Sequence, residues 1–319
     1  MSAVLPKVLL TNPIQKAEQA RLAASAQVIV APNTDPDTLR ALIADADALL
    51  VRAKLPDDIF EYQTRLKGIV RHGVGLDMIP MEQATAHGIP VANVPGSNTS
   101  SVVEYCLNAM FYLLRNMQSL ALTDPVRDWA SSRPRADSAQ ELNGRTLGIV
   151  GVGAIGGALS QAALALGMRV LGLSRRPESL PGQVTFADKQ TLFSQADIVV
   201  LACPLTAETR NLADAQALAL MKRDALLVNV SRGPVVDTAA LMAALQEGRL
   251  GGAALDVHDV QPIPDGLYPA GHDRLLLTPH VAGNTQSSME RMSRGSVDEV
   301  LRVLQGQRFA NLVNPEVFE

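Results

Sequence analysis

The sequence predicts an α/β fold with two doubly wound parallel sheets. Three observations lead there. Short β-branched runs alternate with helical stretches along the whole chain. The 319 residues suffice for two domains at roughly 150 residues each. The chain is 47% hydrophobic but only 3% aromatic, so its core is built from Ala, Val, Leu, Ile and Met, as suits helices packed on parallel sheets.

In the first hundred residues, strands are expected at Lys7–Leu10, Gln27–Val30, Ala48–Val51, Gly68–Arg71 and Pro90–Ala92. Helical stretches fall between them, near Ile14–Ala24, Asp35–Ala44, Pro56–Tyr62 and Met78–His87. Pro80 is compatible with the last of these only in a first turn. Thr99 to Leu120 reads as one long helix, with Ser97 to Ser100 as cap candidates. Apolar residues circle most of it, from Val102 to Met117, so it is expected to be buried all round, between domains or subunits. Thr123–Asn143, rich in Asp, Arg, Ser and Pro, reads as a linker or exposed arm.

A second βα series follows, with strands at Thr146–Val150, Arg169–Leu173, Asp197–Leu201, Ala225–Asn229, Gly252–Leu255 and Leu275–Leu277. A last helix, about Gln286–Leu304, is long enough to pack back on the first domain. The expected division is therefore residues 1–100 plus 287–319 against residues 101–286.

Composition excludes several classes. A net charge of -4 and no run of five or six like charges argue against a nucleic-acid surface or a polybasic anchor. Cys106 and Cys203 lie far apart without CxxC spacing, so neither a disulfide framework nor a cysteine metal site is expected. No His/Asp/Glu cluster has metal-ligand spacing. The opening MSAVLPKVLLTNP is too short an apolar run for a signal peptide. Val102–Leu114, interrupted by Glu104 and Asn108, falls short of the ~18 apolar residues of a membrane span. A cytoplasmic protein is the resulting expectation.

The first strand of the second series runs into Gly151-x-Gly153-x-x-Gly156, with Ala154 and Ile155 between the last two glycines and an Ala-rich helix (Ala158–Leu166) after them. Strand, glycine loop and helix in that order form a dinucleotide-binding fingerprint of the Rossmann type. Gly151 permits a tight turn, Gly153 lets backbone approach a pyrophosphate, and Gly156 lets helix and strand pack closely. The next strand ends in Ser174-Arg175-Arg176, where strict NAD binders carry an acid for the ribose 2′-hydroxyl. Guanidinium groups bind a 2′-phosphate instead, so NADP(H) is expected over NAD(H), which stays possible.

Further segments follow in order: Arg71-His-Gly-Val-Gly-Leu-Asp77, Asn93-Val-Pro-Gly-Ser-Asn-Thr-Ser-Ser-Val-Val-Glu104, Cys203-Pro-Leu-Thr206, Val228-Asn-Val-Ser-Arg-Gly233, Ala254-Leu-Asp256-Val and Thr278-Pro-His-Val-Ala-Gly283. With the glycine fingerprint, they resemble the D-isomer-specific 2-hydroxyacid dehydrogenase family over nearly the whole chain. The Ser-Arg-Arg strand end resembles its NADPH-using glyoxylate/hydroxypyruvate reductases. The resemblance implies a smaller flavodoxin-like substrate domain beside the Rossmann domain, a small 2-oxo acid substrate, and a homodimer. It implies that Arg232 clamps the substrate carboxylate and 2-oxo group and that His280 protonates the carbonyl oxygen. The amides of Val74 and Gly75, with Asn98, would hold the carboxylate. Asp256 would sit by the nicotinamide carboxamide, Cys203, Pro204 and Thr209 would line the adenosine side, and Val230 and Gly283 would flank the nicotinamide. In the loop Val51–Leu55, Arg52 or Lys54 would meet a second anionic group, or Leu55 a small apolar one.

Elementary chemistry agrees. Hydride transfer to a 2-oxo acid leaves an alkoxide, so a fixed cation and a proton donor near neutrality are required, and arginine and histidine supply them. His72 and His258 read as structural. The chain departs from the family at Gln261, where most members carry a Glu that pairs with the catalytic His. An amide oxygen accepts the imidazole N–H but lends no full charge. Asp259 stands two residues away and could substitute if the segment is extended. Val260-Gln-Pro-Ile-Pro264 also looks like formate dehydrogenases, whose reaction releases no hydroxyl proton. A dinucleotide-binding regulator without turnover is a third reading.

Overall fold

The computed structural model describes residues 4–121, 124, 126–268 and 274–319. Met1 to Ala3 of the opening run and Thr123, the first residue of the expected arm, lie outside them. The chain divides into two compact units, Met1–Asn98 with Asn284–Glu319, and Thr99–Gly283.

The first unit holds β1 (Lys7–Leu10), β2 (Gln27–Val30), β3 (Ala48–Val51), β4 (Ile69–Arg71) and β5 (Val91–Ala92). They form a parallel sheet in the order β2-β1-β3-β4-β5, the flavodoxin-like arrangement. All four residues of β3 are buried, as a strand covered on both faces requires. Alternation sends Leu9, Leu49 and Ile69 into one core with Leu39, Ile43 and Phe60. It sends Val8, Leu10, Leu50 and Val70 into another with Val297, Val300 and Val303 of the helix Gln286–Leu304. That helix opens on a Thr285/Ser288 capping box, and its apolar stripe explains why the end of the chain returns to this unit.

Two expected helices shrink here. Pro56–Tyr62 holds only a 3-10 turn, Ile59–Glu61, which buries Ile59 and Phe60; the residue before it, Asp58, makes no capping bond. Met78–His87 becomes Met81–Ala86 with Pro80 at its N-cap, because a residue preceding proline is biased out of the helical region.

The second unit holds β6 (Thr146–Val150), β7 (Arg169–Leu173), β8 (Val184–Phe186), β9 (Ile198–Leu201), β10 (Leu226–Asn229), β11 (Gly252–Leu255) and β12 (Leu275–Leu277). The sheet is parallel, ordered β12-β11-β10-β9-β6-β7-β8. This is the Rossmann order extended by one strand, with its switch point between β6 and β9. The edge strand β8 was not expected: it is three residues long, two of them exposed, so it lacks the apolar run that marks its neighbours.

The long helix also differs from expectation. It spans Thr99–Leu114, and a separate helix, Met117–Ala121, follows. Asn116 between them has φ +53°, a left-handed conformation that asparagine tolerates better than most residues. Nor is it buried all round within this chain: Phe111 is 42% exposed, and Met117 beyond the break 44%. The arm carries the short helix Trp129–Ser132 and a 3-10 turn, Arg133–Ala136. Among the described residues, no helix is long and apolar enough to cross a membrane, and no group of three or more His, Cys, Asp or Glu could hold a metal ion.

Candidate active site

In a parallel sheet all strands end on one edge, and ligands bind beyond it. In the second unit the sites suggested by the sequence lie just past six strand ends: Gly151–Gly156 after β6, Ser174–Arg176 after β7, Cys203 and Pro204 after β9, Val230–Arg232 after β10, Asp256 after β11, and Thr278–Gly283 after β12.

The glycine loop is built for close approach. Gly151 has φ +92°, and a Cβ there would lie 2.7 Å from both Cα and N of Cys203. A Cβ on Gly156 would lie 2.2 Å from the Gly151 carbonyl oxygen. At Gly153, by contrast, a Cβ would meet nothing within 4 Å, so the backbone faces open space there. Gly153 is also the N-cap of the helix Ala154–Ala165 and provides no side-chain cap. The first-turn amides of Ala154, Ile155 and Gly156 thus have no side-chain cap from Gly153 and no acceptor among the described residues, which suits an anion at the helix start. These features fit a dinucleotide pyrophosphate.

At the end of β7, the Ser174 hydroxyl accepts from the Arg176 amide at 3.1 Å, which shapes the turn and leaves both arginine side chains exposed. Across the sheet, the Thr209 hydroxyl donates to the Pro204 carbonyl at 2.7 Å and accepts from the Thr206 amide at 2.7 Å. Thr209 therefore knits the 204–209 loop together. In that loop the Glu208 carboxylate accepts from the Thr206 hydroxyl at 2.6 Å; this bond, aided by the Arg175 charge, holds its pKa below the usual range. Cys203 is buried, and burial raises its thiol pKa, so the sulfur is an inert wall beneath the loop.

His280 and Gln261, 19 residues apart in sequence, meet: imidazole Nδ1 lies 3.1 Å from Gln261 Oε1. The amide nitrogen of Gln261 faces the His258 carbonyl at 3.4 Å, which fixes the amide's sense and makes Nδ1 of His280 the donor. Asp259 is held elsewhere by a hydroxyl. Its carboxylate accepts from the Thr238 hydroxyl at 2.7 Å, and the segment after Val257 forms no strand, so alternation along an extended chain does not apply. Arg232 lies partly buried, with Nη1 donating to the Ser231 carbonyl at 2.6 Å. Its own carbonyl accepts from the Asn229 side chain at 2.9 Å. A Cβ on the next residue, Gly233, would lie 2.1 Å from the His258 carbonyl carbon, so the arginine loop packs directly on the segment leading to Gln261.

Asp256 is 2% exposed. Its Oδ1 accepts from the Thr278 hydroxyl at 2.6 Å and the Val281 amide at 2.8 Å, and its Oδ2 from the Ala282 amide at 2.8 Å. The carboxylate that the sequence suggested for the cofactor is thus the anchor of the histidine loop. Thr278, which the Tyr105 hydroxyl also meets at 2.7 Å, opens the histidine motif but had no role in the sequence reading; its place two residues before His280 was the available signal. His258 is buried and bonded at both nitrogens, to the Tyr268 hydroxyl and the Thr278 carbonyl, each at 2.9 Å.

The loops after β3, β4 and β5 of the first unit carry its expected site residues. Val74 is 38% exposed, Gly75 and Asn98 partly so. Leu55 is different. It is 2% exposed and packs in the core with Ile59, Phe60 and Ile79, and its amide donates to the Met78 carbonyl at 2.9 Å. Its side chain belongs to the core of the first unit. Arg52 is half-buried and donates to the Pro13 carbonyl. His72 is buried with Nε2 2.9 Å from the Ser293 hydroxyl; burial, with Arg52 and Arg71 nearby, pushes its pKa down to about 3.

Comparison with known proteins agrees with this geometry. Residues 107–282 match the model of the D-isomer specific 2-hydroxyacid dehydrogenase family, NAD binding domain. The chain is 34% identical to a glyoxylate reductase of Thermofilum pendens, covering 98% of this chain and 96% of that one. It is 33% identical to a D-3-phosphoglycerate dehydrogenase of Methanocaldococcus jannaschii, covering 97% of this chain but spanning only 59% of the relative's length. A crystal structure of an NADPH-dependent glyoxylate/hydroxypyruvate reductase from Sinorhizobium meliloti, in complex with NADP and malonate, superimposes with a TM-score of 0.84 at 27% identity over 98% of this chain and 97% of that one. On the matched residues, on near-complete coverage by relatives of this identity, and on the two parallel sheets, the chain belongs to the D-isomer specific 2-hydroxyacid dehydrogenase family, whose members are NAD(P)-dependent oxidoreductases.

Proposed function

We propose that this protein uses NADPH to reduce a small 2-oxo acid of the glyoxylate or hydroxypyruvate kind to the 2-hydroxy acid. One observation carries the reading: the glycine loop, Arg232 and the His280–Gln261 pair all follow C-terminal strand ends of one parallel sheet. The names of the relatives support the substrate class.

The nicotinamide dinucleotide, when bound, supplies the hydride that reaches the carbonyl carbon. The chain does the rest. Arg232 grips the carboxylate and polarises the carbonyl. Gln261 holds the Nδ1 proton of His280, so Nε2 is the atom that gives a proton to the carbonyl oxygen. The ring is left neutral, and the same atom takes the proton back in the reverse direction. The amides of Val74 and Gly75, with Asn98, hold the carboxylate. Gly151, Gly153 and the amides of Ala154 to Gly156 cradle the pyrophosphate, and Cys203, Pro204 and Thr209 line the adenosine. Val230 and Gly283 flank the nicotinamide, and Asp256 orients its carboxamide through the loop it anchors.

The preference for NADP(H) rests on Ser174, Arg175 and Arg176, with no acid at that strand end; NAD(H) binds more weakly. A homodimer would cover Phe111, Met117, Val126 and Trp129, which are 42%, 44%, 89% and 66% exposed. Two buried free thiols suit a reducing cytoplasm.

The test is NADPH oxidation, followed by absorbance, with glyoxylate, hydroxypyruvate and pyruvate, run beside NADP+ with formate. Turnover of an oxo acid that His280→Ala abolishes supports the reading. Gln261-Pro262 is the observation that favours formate oxidation instead, and turnover of formate alone would establish it. Tight NADPH binding with no turnover would point to a regulator.

A further inference from the structure

We infer that Asn93 and Arg71 are positioning residues for this reaction: Asn93 ties back the Val74 carbonyl and so turns the Gly75 amide outward toward the substrate carboxylate, while Arg71 pins the flanking carbonyls of His72 and Gly75 and so holds in place the loop that presents the Val74 and Gly75 amides. The inference rests on the function proposed above.

Four consecutive carbonyls of this loop are held. Arg71 Nη1 donates to the His72 carbonyl at 2.6 Å, and Arg71 Nε to the Gly75 carbonyl at 3.0 Å. The Val94 amide donates to the Gly73 carbonyl at 2.8 Å, and the Asn93 side-chain amide to the Val74 carbonyl at 2.8 Å. Because a trans peptide is planar, with its N–H opposite its C=O, fixing the carbonyls of Gly73 and Val74 aims the N–H groups of Val74 and Gly75 the other way. No acceptor among the described residues takes either N–H. Successive outward amides of this kind form an anion-binding concavity. Gly73 makes the turn possible with φ +127°, a region closed to most side chains.

Arg71 is fastened in turn. Its Nη1 also donates to the Val51 carbonyl at the end of β3, at 3.0 Å, so the loop is registered against the neighbouring strand. Behind it, Arg52 and Arg71 both act on buried His72, and no carboxylate ion pair with Arg52 occurs among the described residues. Two guanidinium groups thus act on His72 at the start of the loop, and positive charge there, with the outward amides, favours an anion.

Asn93→Ala, Arg71→Met and Arg71→Lys decide the matter in the whole chain. Two quantities are read: steady-state kinetics with NADPH and glyoxylate, and the calorimetric Kd of oxamate for the NADPH-bound protein. Asn93→Ala and Arg71→Met should raise the oxo-acid KM and the oxamate Kd about tenfold, as loss of oriented charge-assisted bonds does. The Kd for NADPH should change less than about threefold, under half of the ~1.4 kcal/mol that tenfold represents. Arg71→Lys keeps the charge but not the fork that reaches carbonyls in different directions, so it should resemble Arg71→Met. Asn93→Ala is uncharged on both sides and its side chain is partly exposed, so it stands as the test should an Arg71 variant fail to fold. Wild-type oxamate affinity in Arg71→Lys, or an unchanged KM and Kd in Asn93→Ala, overturns the inference. A wild-type protein that binds oxamate but reduces no oxo acid would sink the proposed function while leaving the oxamate comparison decisive for the loop. If the wild type binds no oxamate either, both readings fall.

Discussion

Gln261→Glu places a full negative charge where an amide oxygen now sits, 3.1 Å from Nδ1 of His280. The size of the effect follows from distance and exposure. Two unit charges at ~4 Å attract by about 1 kcal/mol in bulk water and about 4 kcal/mol at an effective dielectric of ~20. Gln261 is exposed, so the lower end applies, and the imidazolium gains about one pKa unit. The sign is set by which form of His280 works. Reduction needs the protonated ring, so a raised pKa carries the falling limb of the kcat/KM profile about one pH unit higher and leaves the acidic plateau unchanged. Oxidation of the 2-hydroxy acid needs the neutral ring, so its rising limb moves up by the same amount. The Asp259 carboxylate accepts from the Thr238 hydroxyl at 2.7 Å. The assay is the pH dependence of kcat/KM for glyoxylate reduction in wild type and variant. A limb that moves by less than about 0.3 unit would show that position 261 does not control the proton donor.

Three other outcomes are expected. Replacing Arg175 and Arg176 together with Ala should raise the KM for NADPH by about 10- to 100-fold, as losing hydrogen bonds to a charged group does, and leave the KM for NADH nearly unchanged; equal effects on both cofactors would show that the pair does not read the 2′-phosphate. His72, neutral when folded with a pKa of about 3 against 6.5 unperturbed, lets the unfolded chain bind its proton first. Its contribution is complete above the higher value and is lost as pH falls toward the lower one, so His72→Gln should flatten the acid limb of unfolding free energy measured in urea without moving the pH profile of turnover. Glu299, 3% exposed, accepts from the amides of Ala310 and Asn311 and from the Asn311 side chain at 2.8–3.0 Å. Glu299→Ala strands three donors and should cost about 3 kcal/mol in the same assay, with Glu299→Gln recovering part.

The sheets were legible because a parallel strand covered on both faces must be an unbroken apolar run. Ala48–Val51 and Thr146–Val150 announce themselves that way, and their alternating faces follow from the same residues. Where a segment satisfies only one face, or none, the signal fades: β8 exposes two of its three residues, and Asn116 breaks a helix by a backbone choice that composition does not reveal. The site divides along the same line. Arg232, His280 and the glycine loop stand in ordered motifs at strand ends. For Leu55, family position says which loop the residue occupies but not that its side chain packs into the core. Arg71 and Asn93 stood within quoted motifs, yet their work is to hold carbonyls, and backbone partners leave no trace in side-chain chemistry.

The histidine loop shows why such a site needs more than its reacting groups. His280 has φ +57°, a left-handed conformation that costs an L-residue roughly 1–2 kcal/mol. Such a residue persists only when its surroundings over-determine it. Here they do. The His280 amide donates to the Asp256 carbonyl at 2.8 Å, and the Asp256 carboxylate collects the Thr278 hydroxyl and the amides of Val281 and Ala282. The Tyr105 hydroxyl closes the network on Thr278. One buried carboxylate thereby holds the Thr278 side chain before His280 and two backbone amides after it, while Gln261 fixes the ring and its tautomer. Asp256 lends its charge to loop placement, which is why an acid serves there: only a group that accepts at both oxygens can receive one amide at each, and the amide group of an asparagine would present a donor to one of them.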